Sequence, residues 1–261
     1  MAVTGAPLDA FRRDPGRAGL FIDFDGTLSP IVLDPESARP LPDAVEVLVD
    51  LRSRLARVVV VSGRPVAFLA RHLPEEIDLV GLYGLESRRA GQVVEHPEAA
   101  RWRPVVDQVV AQAVDELPTR VEVEHKGLSL TLHVRRHPEV AEAADAWATA
   151  AAAASGLLLR PAKHSVELHP PVAADKGTVV DELVAGLAVA AYVGDDSGDL
   201  PAFAALDRFA AAGGTALRVV VSSDETPPEL LAAADLLVDG PEGVVALLRD
   251  LGGTPPDAPS G

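Results

Sequence analysis

The 261-residue sequence contains no cysteine. That excludes a disulfide framework and any thiolate metal site, and a cytoplasmic address is the expected one. No apolar run approaches the roughly 18 residues of a membrane-span candidate. The opening stretch, MAVTGAPLDAFRRDPGRAG, lacks the apolar centre of a secretory signal. Positive charge is scarce as well: 23 Lys and Arg stand against 39 Asp and Glu, a formal net charge of −16. So acidic a chain disfavours nucleic acid and anionic membrane as partners. A small-molecule partner and a monomeric state are expected instead.

What is present is a globular composition, with 48% apolar residues in runs separated by Gly, Pro and Asp clusters. The charge is uneven. Residues 101–170 hold eight Lys/Arg and nine Asp/Glu, so this stretch is near −1 and the remainder near −15. Five of the seven histidines and both tryptophans, Trp102 and Trp147, also fall in it. The shift in composition marks 101–170 as a candidate domain inserted between 1–100 and 171–261, with a disordered tail at 252–261.

Outside the insertion, GLFIDF, RVVVVSG, DLVGLYG, AVAAYVGDD and LRVVVSS read as strands. Several are too continuously apolar for one face to meet water, as in a parallel sheet covered on both sides. Helical stretches lie between them, at Asp43–Leu55, Pro65–Leu73, Lys176–Leu187 and Leu200–Leu206. Alternation of strand and helix predicts a doubly wound, Rossmann-like α/β core. The insertion reads as a smaller α+β module: two strand-like runs around Lys126-Gly127, the helix AEAADAWATAAAAA, and a further strand in HSVELHP.

Ligands of an open parallel sheet bind beyond the carboxyl ends of its strands. Polar residues gather at those ends: Asp23 and Asp25 after the first strand, Ser62 with Gly63 and Arg64 after the second, and Asp195, Asp196 and Asp199 after AAYVG. Lys176, at the start of its helix, joins them. Converging carboxylates need a cation. With only oxygen ligands, no Cys and no paired His, that cation reads as Mg²⁺ rather than zinc. Mg²⁺ implies phosphate chemistry, with Lys176, Ser62 and backbone N–H groups available to phosphoryl oxygens.

Each feature has a bland alternative. Asp25-Gly26 is ordinary turn chemistry, and GDDSGD is an acidic helix cap. A calcium loop fits poorly, because Gly26 is fourth from Asp23 and a strand precedes it. The conjunction, in this order and each after a strand, is harder to explain blandly.

That conjunction resembles the haloacid-dehalogenase-type phosphatases. Their pattern is DxDxT, then Ser or Thr, then Lys, then GDxxxD; here it is Asp23-Phe-Asp25-Gly-Thr27, Ser62, Lys176, and Gly194-Asp195 with Asp199. The insertion resembles the cap module that such enzymes place over the site. A closer similarity, over nearly the whole chain, is to the trehalose-6-phosphate phosphatases. It rests on DFDGTLSPIV, VVSGRP, GLYGLE, EHKGLSLTLHVR, VELHPP before DKG, GDDSGD and SSDETPPEL…ADLLVDGPEGV. The Glu-x-Lys pair, Glu124 and Lys126, is its most specific element. Tyr83 replaces a usual His, Asp175 stands where Asn is common, and GDDSGDLPAF departs from the commoner Thr-Asp-Glu form.

The resemblance implies a Mg²⁺-dependent phosphatase that releases trehalose and phosphate through an aspartyl-phosphate. Asp23 would be the nucleophile and a metal ligand, and Asp25 the general acid and base, touching the metal through its backbone carbonyl. Asp195 is the expected further metal ligand, with Asp196 acting through a water on the ion. Asp199 would orient Lys176, while Thr27, Ser62 and Lys176 hold the phosphoryl group. Glu124, Lys126, Arg135, Lys163 and Glu167 are the expected sugar contacts, though alternating charges on a strand module also describe a solvated face. His133 reads as structural, and Glu86 as a residue that reaches the sugar or orients cationic neighbours. The alternatives are phosphatases of sucrose phosphate, mannosyl-phosphoglycerate or a pseudo-disaccharide phosphate, a sugar phosphomutase, and a non-catalytic sensor. The intact set of reactive residues speaks against the last.

Overall fold

The computed structural model describes residues 6–32, 34–162, 164–223 and 226–253. In chain order the strands are β1 (Ala18–Ile22), β2 (Arg57–Val61), β3 (Asp78–Gly81), β4 (Glu86–Arg89), β5 (Gln92–Glu95), β6 (Glu122–His125), β7 (Leu130–His133), β8 (Leu158–Ala162), β9 (Ser165–His169), β10 (Val189–Gly194), β11 (Thr215–Ser222) and β12 (Leu236–Asp239). The chain forms two compact units, residues 1–93 with 174–261, and residues 94–173. The second unit begins earlier than the change in composition at 101, since the helix Pro97–Ala100 already belongs to it.

The first unit carries a sheet in the order β12-β11-β10-β1-β2-β3-β4-β5. Strands β12 through β3 pair in parallel and β4 returns antiparallel. The continuous apolar runs have the cause the sequence suggested: both faces are covered. Leu20, Ile22, Val58, Val60 and Val193 pack with Leu48, Leu51, Val244 and Leu248 of helices Pro42–Arg54 and Gly240–Gly252. Phe21, Val59, Val61 and Tyr192 face the other way, against Val180, Leu183, Phe203 and Leu206 of helices Lys176–Leu183 and Leu200–Ala211. Strand order reverses direction at β1, which lies between β2 and β10. A crevice forms at such a switch point, at the carboxyl ends.

Local differences from the sequence reading have local causes. The helix expected at 65–73 covers only Val66–Leu69; beyond it the chain tightens into turns, with the Arg71 and His72 N–H groups donating to carbonyls three residues back. The helix from Lys176 stops at Leu183, and Gly186 follows in the left-handed region at φ 79°. Strand β4, ESRR, escaped notice because its charged sequence has no apolar alternation. Gly252 ends the last helix rather than opening a tail; residues 254–261 of the expected tail lie outside the described residues.

The second unit is a four-stranded antiparallel sheet, β6-β7-β9-β8. Helices Arg103–Glu116 and Ala141–Ser155 supply Val106, Val109, Ala113, Ala144 and Ala148 to a core with Leu130, Leu132, Val166 and Leu168. The first of these helices was not foreseen, although its buried positions follow helical spacing. Gly127, at φ 83°, lies in the connection from β6 to β7. Among the described residues of the whole chain, no helix is long and apolar enough to cross a membrane.

Candidate functional site

Asp23 directly follows β1, Ser62 follows β2 and Asp195 follows β10, so parallel pairing places all three at one end of the sheet. Lys176 opens its helix and is only 3% exposed. An ammonium group at a helix N-terminus meets the positive end of the dipole and, when buried, needs paired anions. It has two: Nζ lies 2.9 Å from Asp23 Oδ1 and 2.6 Å from Asp199 Oδ1. The helix start is fixed by reciprocal hydrogen bonds between Asp175 and Thr178.

Asp199 is fully buried and fully engaged. Its Oδ1 accepts from Lys176 and, at 2.6 Å, from the Tyr192 hydroxyl; its Oδ2 accepts from the backbone N–H groups of Asp195 and Asp196 at 3.0 and 3.2 Å. One carboxylate therefore fixes both the lysine and the loop after β10. Gly194 permits this approach, since a Cβ there would stand 2.3 Å from the Asp199 carboxylate.

Carboxylate oxygens of Asp23, Asp195 and Asp199 lie within 4.8 Å of one another. Because both Asp199 oxygens are taken, the oxygens best placed for a cation belong to Asp23 and Asp195. Burial pushes Asp195 up to about 9, with the Asp23, Asp199 and Asp196 charges adding to it against Lys176. Burial likewise raises Asp23 well above the ordinary carboxylate range, despite Lys176. Burial alone would lower Lys176, but Asp199 and Asp23 hold it well above its usual value. Negative charge thus exceeds positive in a site of hard oxygen donors. A divalent cation fits that donor set, and the loop is shaped for it: Gly26, at φ 75°, brings its backbone so close that a Cβ would sit 2.0 Å from Asp195 Oδ2.

The remaining core residues are at hand. Thr27 is fully buried, and its Oγ1 has no hydrogen-bond partner among the described residues. Ser62 is buried, its Oγ accepting from the Arg64 backbone N–H at 3.1 Å. Asp196 caps the following turn, its Oδ1 accepting from Gly198 N–H at 2.8 Å, so the capping reading of GDDSGD holds for this residue. The Asp25 side chain forms a bidentate pair with Arg64, Nε and Nη2 each donating at 2.8 Å. Arg64 also donates to the Pro35 carbonyl and lies 4.5 Å above the Phe68 ring. The sequence reading left Arg64 without a role; its only signal was its place beside Ser62. Tyr192 was passed over too, although a hydroxyl in the strand VAAYVG is a buried polar atom that must find a partner. Glu86 accepts from the Val66 backbone N–H, which ties it to the helix start.

In the second unit, cross-strand pairing aligns Glu124, Thr131, Glu167 and Arg160 in one row across the four strands. Directly opposed residues share a face, and this is the face opposite the apolar core. Glu124 Oε2 lies 2.7 Å from His133 Nε2 and 3.7 Å from Lys126 Nζ. Glu167, 5% exposed, accepts from Ser129 Oγ at 2.7 Å and Arg160 Nη1 at 3.0 Å. Glu124, Lys126 and Glu167 are therefore brought to one face, while Arg135 lies beyond the end of β7. Lys163 falls outside the described residues. His133, read as structural, orients Glu124; Arg160, in the unforeseen strand β8, does the same for Glu167.

A family model described as trehalose-phosphatase matches residues 21–236. The chain is 34% identical over 231 residues to a trehalose-phosphate phosphatase of Mycobacterium ulcerans (strain Agy99), covering 83% of this chain and 57% of that protein. Another, from Mycobacterium avium (strain 104), is 34% identical over 218 residues, with 78% and 54% covered. The chain thus spans about half the length of the curated relatives it matches. A solved structure described as a trehalose-6-phosphate phosphatase related protein superposes with a TM-score of 0.74 at 25% identity, covering 90% of this chain and 96% of that one. The C-terminal domain of the C. albicans trehalose-6-phosphate phosphatase shares the fold at a TM-score of 0.74 and 22% identity, with 94% and 95% covered.

Proposed function

The chain belongs to the trehalose-phosphatase family, and from that premise we propose that it hydrolyses trehalose 6-phosphate to trehalose and phosphate. The observation that carries the reading is the buried contact of Asp23 with Lys176, set beside Asp195 at the switch point of the sheet. An Asp23 oxygen attacks phosphorus and the sugar oxygen leaves, giving an aspartyl-phosphate; water then attacks phosphorus and releases Asp23. Asp25, two residues on, delivers a proton to the leaving oxygen and later takes one from the water. For that it must exchange its pairing with Arg64. Lys176, Ser62 and Thr27 hold phosphoryl oxygens, and the partnerless Thr27 hydroxyl supports this.

Asp23 and Asp195 would hold Mg²⁺, with Asp196 and the Asp25 backbone carbonyl nearby. When bound, the cation supplies charge neutralisation to the phosphoryl group. The second unit supplies sugar recognition through Glu124, Lys126 and Glu167, with Arg135 and Lys163 as further contacts.

The test is phosphate release from a panel of sugar phosphates, with Mg²⁺ and with chelator. Trehalose 6-phosphate should be the preferred substrate and chelator should stop the reaction. Preference for sucrose phosphate or mannosyl-phosphoglycerate would move the substrate, and chelator-resistant turnover would remove the cation. Transfer of labelled phosphate between sugar positions without release would make the enzyme a mutase.

A further inference from the structure

The polar row of the second unit contains one group whose presence its surroundings do not explain. Thr131 lies at the centre of β7, paired with Glu124 on one side and Glu167 on the other. It is 4% exposed, and its Oγ1 has no hydrogen-bond partner among the described residues. Both neighbouring carboxylates have donors of their own: His133 and Lys126 serve Glu124, and Ser129 and Arg160 serve Glu167. The threonine hydroxyl is left out of this set.

Valine has nearly the shape of threonine and suits a strand at least as well. At a buried position with no partner, the hydroxyl is a net cost, because it gives up its bonds to water for nothing. A hydroxyl there makes physical sense when a partner arrives from outside the chain. The flanking carboxylates only accept hydrogen bonds, whereas a hydroxyl both donates and accepts. The group that matches all three is another hydroxyl, one that donates to a carboxylate and exchanges a bond with Oγ1. A polyol surface offers such groups; a planar base or an apolar ligand does not.

We propose that Thr131 is a specificity-determining residue whose buried hydroxyl is satisfied by a sugar hydroxyl of the substrate, between Glu124 and Glu167. The inference rests on the sugar-phosphatase reading above and goes further by giving a contact to a residue to which the sequence assigns no role. Since Oγ1 is sealed from solvent here, the side chains on that face must shift to admit the sugar. Free protein and complex should therefore respond to loss of the hydroxyl with opposite signs.

The experiment compares wild type, Thr131→Val and Thr131→Ser by thermal unfolding without ligand and by kcat/KM for trehalose 6-phosphate and for a small aryl phosphate. Thr131→Val should unfold at an unchanged or higher temperature. Its kcat/KM for trehalose 6-phosphate should fall about 10-fold, the scale of one lost hydroxyl contact, and that for the aryl ester far less. Thr131→Ser, which keeps the hydroxyl, should stay within about threefold of wild type on the sugar ester, the allowance being for the lost methyl contact. Unchanged kcat/KM in Thr131→Val, equal losses on both substrates, or a loss in Thr131→Ser as large as in Thr131→Val would each overturn the proposal. A lower unfolding temperature in Thr131→Val would mean that a buried water already satisfies the hydroxyl, and would overturn it too. If wild type splits the aryl ester but no sugar phosphate, the parent reading fails and the inference falls with it; a defect of Thr131 alone leaves the parent standing.

Discussion

The two polar regions of this molecule are assembled in opposite ways. The strand-end cluster draws Asp23, Ser62, Lys176 and Asp195 from four separate places in the sequence, and its carboxylates outnumber its one ammonium group. The row on the second unit lies across the middles of four adjacent strands, and each of its carboxylates has a cationic or neutral donor. The first arrangement leaves anionic charge unmatched, as suits a site that takes in a cation and a phosphoryl group. The second is nearly balanced, as suits recognition of a neutral ligand. Loss of one group should accordingly stop chemistry in the first and weaken selection in the second.

The largest effect should come from Asp23→Asn. The amide keeps the shape but is no nucleophile, so turnover should fall by about 10⁴-fold or more on sugar and aryl phosphates alike. Thermal unfolding should show the fold retained, because one carboxylate fewer relieves the crowding of like charge. Near-normal turnover would end the aspartyl-phosphate reading. On the second unit, Glu124→Ala should cost on the order of 10²-fold in kcat/KM for trehalose 6-phosphate and far less for the aryl ester. Equal losses would erase the contrast between the two regions and place Glu124 in the chemical step or in folding.

The same contrast explains what the sequence could reveal. The strand-end residues were legible because a carboxylate after LFI, or a serine after VVVV, breaks a pattern, and because parallel strands bring their ends together whatever the details. Partnerships were not legible. That Asp25 faces Arg64, or that Tyr192 reaches Asp199 across seven residues, depends on rotamers and on which face each strand presents. Strand β4 and helix Arg103–Glu116 were missed for a simpler reason: ESRR has no apolar face to read, and the helix begins inside a stretch noticed for its charge. The alignment of Thr131 between Glu124 and Glu167 required the strand order β6-β7-β9-β8, which no local pattern encodes.

The charge surplus can be tested by pH in the presence of chelator. Asp195 is raised by burial, and then by Asp23, from an ordinary value of 3.8 to about 9. Between those values the folded chain retains a proton that the unfolded chain has released, so stability falls as pH rises through this window. Wild type in chelator should therefore show a declining unfolding temperature from pH 5 to pH 9, in steps of about one pH unit. Asp195→Asn should flatten the decline and raise the Mg²⁺ concentration needed for half-maximal activity. A wild-type profile without slope would mean that the cluster carries no unmatched charge, and an unchanged Mg²⁺ titration would move the ligand role to Asp196.

The smallest effect is expected at Tyr192, where a residue distant from the phosphoryl group acts through another. Its hydroxyl donates to the same Asp199 oxygen that receives Lys176, and the ring is fully buried, edge-on to Phe203 at 6.0 Å. Tyr192→Phe keeps the ring packing and removes a single donor. Asp199 then retains Lys176 and two backbone N–H groups, so the cluster should hold together with a less constrained lysine. A loss of about 3- to 10-fold in kcat is expected, of equal size for trehalose 6-phosphate and for an aryl phosphate, because both present the same phosphoryl group to Lys176. Competitive inhibition by inorganic phosphate should weaken in parallel, which a general loss of stability would not produce at temperatures where the variant is folded. A variant with unchanged kcat and unchanged phosphate inhibition would show that Asp199 positions Lys176 without help, and that the tyrosine hydroxyl serves only to satisfy a buried anion. A loss confined to the sugar ester would break the division between the two units, since Tyr192 belongs to the one assigned chemistry.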